Sequence, residues 1–209
     1  METDELWQRI HQRRSELADQ LETLTAAEWQ VPSLCAGWTV RDVAAHIISA
    51  ATAGLGDVLA VMVKARFNFN RAMFDDAKRR SARPTDEIIA DFRRLSGSRR
   101  RPPGTSRFDP FVDILVHTQD IVRPLGRAQP VPVSDALAVG DYVWHQGFPH
   151  SPQRRLRGVR LNATDGAWTV GNGPTIEGPM GALLLLMTGR TASVPELRGA
   201  GLAQLSGTR

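Results

Sequence analysis

Three side chains of this 209-residue chain have the types and spacing to hold a metal ion. Asp113 precedes His117 by four residues, and on a helix that interval stacks carboxylate and imidazole on one face, one turn apart. Facing helices of a bundle build metal centres in this way. His46, in a separate helical stretch, is placed to add a third ligand across the core. Two histidines and one carboxylate leave a position open on zinc, which marks a catalytic rather than a structural site. The same spacing also arises on helices that bind no metal, and a histidine on an apolar face is often a hydrogen-bonded core residue. Spacing alone leaves both readings open.

The neighbours of these residues carry weaker signals. Asp120 follows His117 by three and reads as an outer acceptor for a ligand histidine or as a surface charge. Asp42 precedes His46 by four and reads the same way, although a capping box already accounts for it. Cys35 is the single cysteine. It reads as a small buried thiol, with nothing beside it in sequence to lower its pKa. No intrachain disulfide is possible, so nothing calls for an oxidising compartment.

Elements of helical periodicity must position these groups. Leu6, Ile10, Leu17, Leu21 and Leu24 give residues 5–24 an amphipathic stripe. Thr25 to Glu28 has capping-box spacing, and residues 31–38 form a loop punctuated by Pro32 and Gly37. Thr39 and Asp42 form a second capping box, expected to open one long helix over 40–64, with Val43, Ile47, Ala50 and Ala51 on its apolar face. Helices follow over 66–80 and 86–95. After an Arg-rich loop over 96–106, Asp109-Pro110 starts the helix that carries Asp113 and His117, with proline in its first turn. Ser134 is expected to cap a last helix of this part, ending near His145.

Past residue 150 the pattern changes. Residues 159–164 alternate like a strand, Asp165-Gly166 turns the chain, and residues 167–170 return as a hairpin partner. A third short strand covers 175–177. Met180 to Thr188 reads as a buried helix ended by Gly189. The expected organisation is therefore mainly α: a helical domain of four or five helices over residues 1–149, then a small α+β domain over 150–209.

Composition bounds the function classes. Of 26 basic residues only Lys64 and Lys78 are lysine, and 22 acidic residues leave a net charge of +4. The pI of 10.1 thus reflects a few surplus arginines rather than a strongly basic surface. The arginine bias predicts a GC-rich genome. Residues 64–107 hold thirteen basic and five acidic residues, with Phe67 and Phe69 among them. This segment could be a nucleic-acid surface, but no helix-turn-helix, zinc-finger or RNA-binding signature accompanies it, which favours a solvated arginine face. The acidic start lacks the apolar stretch of a signal peptide, and the aliphatic run 182–187 is far below the ~20 residues of a membrane span. These features predict a cytoplasmic protein without a membrane partner.

Residues 24–29, then Pro32 to His46 (PSLCAGWTVRDVAAH), resemble the opening of the mycothiol-dependent maleylpyruvate isomerase family. Residues 116–126 (VHTQDIVRPLG) look like its second signature. Residues 158–165, Gly178-Pro179 and 186–190 are similar to the small domain that often follows. The resemblance implies a DinB-like four-helix bundle with a small α+β C-terminal domain. Carried over by position, the family's metal ligands fall on His46, Asp113 and His117. The characterised isomerase pattern has Glu where this chain has Asp113, whose stem is one carbon shorter.

The resemblance implies a divalent metal, zinc in expectation, and mycothiol as cofactor, together with an electrophilic small-molecule substrate. A metal-activated thiol would then add to that electrophile, giving isomerase or S-transferase chemistry. Arg190 is the candidate contact to the thiol cofactor, with helix capping as its alternative role. Actinobacteria, which make mycothiol, are among the GC-rich bacteria that the arginine bias predicts. The alternatives are a metal- or ligand-binding bundle without turnover and, less favoured, a nucleic-acid-binding protein using residues 64–107.

Overall fold

The computed structural model describes residues 1–52 and 54–205. It is mainly helical, with one three-stranded sheet, and divides into compact units at 1–129 and 130–209.

The first unit contains α1 (Thr3–Glu22), α2 (Val40–Thr52), α3 (Leu55–Lys64), α4 (Phe69–Ser81), α5 (Thr85–Leu95) and α6 (Asp109–Val122). The apolar stripe of α1 is buried as its periodicity predicts, through Leu6, Ile10, Leu17 and Leu21. α1 packs on α5 and α6, and α2 packs on α4, α5 and α6. The bundle core between them includes Val43, Ile47, Ile88, Phe111, Ile114 and Ile121.

Both predicted capping boxes form. Glu28 accepts from the Thr25 backbone N–H, and the Glu28 N–H donates to the Thr25 hydroxyl. At the start of α2, the Thr39 N–H and hydroxyl both donate to Asp42, at 2.8 and 2.9 Å.

The single helix expected over 40–64 is two helices. A new N-terminus forms at Gly54, whose N–H donates to Asp57 at 3.0 Å. Thr52 meanwhile turns its hydroxyl back onto the Ile48 carbonyl. The next helix begins at Phe69 rather than 66, because Arg66 and Phe67 lie in the left-handed region and the Asn68 side chain caps Arg71. The side chain of Ala50, expected on the apolar face of α2, lies outside the described residues.

The second unit holds α7 (Val133–Trp144), α8 (Pro152–Arg155), β1 (Arg160–Ala163), β2 (Thr169–Gly171), β3 (Thr175–Gly178), α9 (Met180–Met187) and α10 (Leu202–Leu205). The hairpin forms as expected, with Leu161 opposite Val170 in antiparallel register. β3 pairs parallel on the other side of β1, giving the order β2-β1-β3. α9 is buried all round and packs on α7 and on the sheet.

Two details differ from expectation. The units divide at 129/130 rather than 149/150, and α7 packs on α9 within the second unit. Gly140 permits that approach: a Cβ there would meet the Met180 methyl at 2.5 Å. Ser134 is not the cap of α7. Pro132 holds that position in extended conformation, and its carbonyl accepts from Asp135 and Ala136. Among the described residues, no helix is long and apolar enough to cross a membrane.

Candidate metal centre

α2 and α6 pack face to face and bring the three predicted ligands together. Asp113 and His117 share one face of α6, and His46 projects from the middle of α2. Asp113 Oδ1 lies 3.4 Å from His117 Nε2 and 3.7 Å from His46 Nε2. The two imidazole rings stand edge to face, with centroids 5.0 Å apart. One donor atom from each residue lies within 4.8 Å of the others.

These spacings suit a cation. They exceed the 2.7–3.2 Å of a nitrogen–oxygen hydrogen bond. Two ligands about 2.0–2.1 Å from a tetrahedral ion are separated by about 3.3 Å, close to what is seen. The side chains keep 13–22% of their surface exposed, so the cluster is not sealed.

The outer layer fixes the tautomer. Asp120, fully buried, takes a 2.8 Å hydrogen bond from His117 Nδ1. A carboxylate only accepts, so Nδ1 carries the proton and Nε2 faces Asp113 and His46. This is the carboxylate–histidine arrangement that orients imidazole ligands in metal sites.

The electrostatics agree. Burial pushes the Asp113 carboxyl up, but His117 and His46 outweigh it and hold its pKa below the usual carboxylate range. Burial likewise pulls His117 down, yet Asp113 and Asp120 raise its pKa well above the ordinary value. The cluster therefore already contains the charge pattern that a cation would replace.

A loop completes the support. Val31 to Thr39 folds back on itself, and the Val40 N–H donates to the Val31 carbonyl at 2.9 Å. Gly37 turns it at φ +78°, a conformation that a larger side chain rarely adopts. Trp38 lies tilted against the His46 ring, with centroids 5.1 Å apart and 56° between the planes. Cys35 donates to Asp120 Oδ2 at 3.1 Å. Cys35 is thus a half-buried thiol rather than the fully buried one expected from sequence. Cys35 and Trp38 both belong to the stretch that carries the family resemblance.

Arg14 is a further charged group that the motifs do not single out. It interrupts the apolar stripe of α1, is 4% exposed, and donates to the carbonyls of Leu95 and Ser98. Burial lowers its pKa, and Asp113 acts electrostatically in the opposite direction. A charged residue at a core-facing helical position was the signal that could have found it.

Other expectations fall elsewhere. Asp42 is not an outer partner of His46. It is bound by Thr39, by Lys78 at 2.6 Å and by Ser81, because its position at the first turn of α2 aims it at α4. Arg190 donates to the Thr188 carbonyl at 2.7 Å, beside Arg155 on that of Leu186. It thus takes the capping position at the end of α9, where the helix dipole favours cations.

The arginine-rich segment is largely neutralised. Eight of its thirteen basic residues make ion pairs: Arg71, Lys78, Arg79, Arg80, Arg83, Arg93, Arg94 and Arg99. Phe74 lies under Lys78, leaving Phe67 as the strongly exposed ring. This fits the solvated arginine face rather than a nucleic-acid platform.

Residues 10–103, which carry the supporting loop and His46, match the sequence model of the mycothiol maleylpyruvate isomerase N-terminal domain. Two crystal structures are similar over 96% of this chain and 93% of theirs, with a TM-score of 0.67 and 12% identity. They are the mycothiol-dependent maleylpyruvate isomerase and a histidine-to-alanine mutant of it. No curated protein sequence matches. The resemblance read from the motifs is borne out to this extent: residues 10–103 match the model of that N-terminal domain, and the chain shares the fold of the isomerase over nearly its whole length.

Proposed function

We propose that the protein is a metal-dependent, mycothiol-using enzyme of the isomerase or S-transferase type, acting in the cytoplasm on an electrophilic small molecule. The observation that carries this reading is the convergence of His46 Nε2, Asp113 Oδ1 and His117 Nε2, with His117 Nδ1 already engaged by Asp120. The donor set of two imidazoles and one carboxylate fits zinc with a position left open. Bound metal and thiol would together supply a thiolate nucleophile at neutral pH, for addition with elimination (isomerisation) or without it (conjugation).

The residues of the chain have distinct parts in this reading. His46 and His117 offer neutral nitrogens from opposite helices. Asp113 offers the anionic oxygen between them. Asp120 keeps the His117 proton on Nδ1, so that the metal-facing nitrogen retains its lone pair. Trp38 fixes the plane of the His46 ring. Asp113 stands where the family pattern has Glu, and its shorter stem draws the oxygen toward the α6 backbone, so metal position and preference are expected to differ.

The test is thermal shift with metal and mycothiol added separately and together. Metal should stabilise the protein, and mycothiol should add a further shift only to the metal-loaded form. A protein stabilised by metal and indifferent to mycothiol would be a metal-binding bundle without this activity. Steep salt-dependent DNA binding would instead revive the nucleic-acid reading.

A further inference from the structure

Cys35 lies behind the centre, in the loop that also carries Trp38. Its thiol reaches the Asp120 oxygen that His117 Nδ1 also uses, at 3.1 and 2.8 Å, and its sulfur is 3.9 Å from that nitrogen. These three groups could also be read as a second metal cluster. Their spacing argues otherwise, since 2.8 and 3.1 Å are hydrogen-bond lengths, whereas the gaps in the centre itself are 3.4 and 3.7 Å.

The loop holds the thiol in place. The Leu34 N–H donates to the Asp120 backbone carbonyl at 3.2 Å, tying the loop to α6 at the same residue. The Ser33 hydroxyl accepts from the Cys35 N–H at 3.1 Å and donates to the Trp38 carbonyl at 2.9 Å. A carboxylate with no exposed surface needs donors to fix its rotation. Asp120 takes one from the imidazole it must orient and one from a side chain on the neighbouring loop, which Ser33 braces in turn.

We propose that Cys35 is a positioning residue, whose thiol locks Asp120 so that His117 keeps its proton on Nδ1 and turns Nε2 to the metal. This rests on the metal-site reading above. It gives the cysteine of the motif a task that needs neither disulfide nor nucleophilic chemistry. A serine at this position keeps a donor, and an alanine does not.

Two readouts test it on the full-length protein. The first is the imidazole Nδ1–H proton of His117 in the metal-free protein, followed by nitrogen-15 NMR. In Cys35→Ala its exchange with water should speed up at least about tenfold, while Cys35→Ser should stay within about threefold of the parent. The second is zinc affinity by competition with a chromophoric chelator. Cys35→Ala should weaken it by about 10-fold, at the low end of outer-layer effects, and Cys35→Ser should restore it. If Cys35→Ala does not fold, Cys35→Val and Cys35→Thr form a matched pair without and with a donor.

The proposal is overturned if the alanine variant behaves as the parent, or if alanine and serine are impaired alike, since that would make the residue a matter of packing. If the parent binds no zinc but the proton responds as described, the metal reading fails and the positioning role stands. If zinc binds and neither readout moves, the metal reading stands and the positioning role fails.

Discussion

Two acidic clusters lie against α2 in the same bundle, and they differ in what surrounds the carboxylate. Asp42, with 4% of its side chain exposed, is met by the Lys78 ammonium at 2.6 Å and by the hydroxyls of Thr39 and Ser81. Asp113 is met by two imidazoles at 3.4 and 3.7 Å. The first cluster is complete: its donors are close, charged and sufficient, so it contributes to stability. The second is looser: both imidazoles stand beyond hydrogen-bond length from the carboxylate, at spacings that would suit a cation. A buried carboxylate is therefore no mark of function by itself. The chemistry and spacing of its partners decide.

The sharpest way to break this contrast is to remove one residue from each cluster. His117→Ala should abolish metal binding, a loss beyond the roughly 100-fold that outer-layer residues cost. Elemental analysis of the purified variant checks this, and retained stoichiometric metal would refute the assignment. Asp42→Ala should do the reverse. It should cost about 2–4 kcal/mol in denaturant unfolding, by stranding the Lys78 and Ser81 partners and removing the cap, and leave metal affinity within about twofold.

Acidity sharpens the same contrast. Binding of metal displaces the proton that Asp113 favours on His117, so affinity should rise about tenfold per pH unit until the raised pKa of His117 is passed. Calorimetric titrations across pH would show this, and a flat profile would exclude His117 Nε2 as a ligand. The metal-free protein should behave oppositely at high pH. The raised His117 pKa contributes stability that is fully present below 6.5 and lost as pH rises through the folded-state value. The depressed Asp113 pKa contributes stability that is present above 3.8 and lost as pH falls. Thermal melts without metal should thus show this pair contributing most between those two values. The smallest effect is expected from Thr39→Ala. It removes one capping hydroxyl from α2 and should cost about 1 kcal/mol, with the metal centre intact.

The amphipathic stripe of α1, both capping boxes, the β1–β2 hairpin and the buried α9 were legible because each is a local pattern. The break at Gly54 was not, since the apolar residues of 40–64 continue past it, and only Asp57 folding back onto the Gly54 N–H declares a new start. The place of α7 was hidden for another reason. Its own sequence reads only as a helix, and the close fit of Gly140 against Met180 and Trp168 becomes visible only when those distant residues are in place. Within the site, Asp113 and His117 could be paired from a four-residue interval, while Cys35 could be linked to His117 only through a contact spanning 85 residues to Asp120.

Helical periodicity alone marked most of the helices and paired Asp113 with His117, because it fixes which side chains share a face. The sequence also carried the motifs of the family domain. That His46 Nε2 meets those two residues, that Asp42 turns to Lys78 instead, and that the Cys35 loop closes behind His117 are outcomes of packing. Those outcomes depend on how α2, α4 and α6 pack against one another, a property of the assembled core that no single segment specifies.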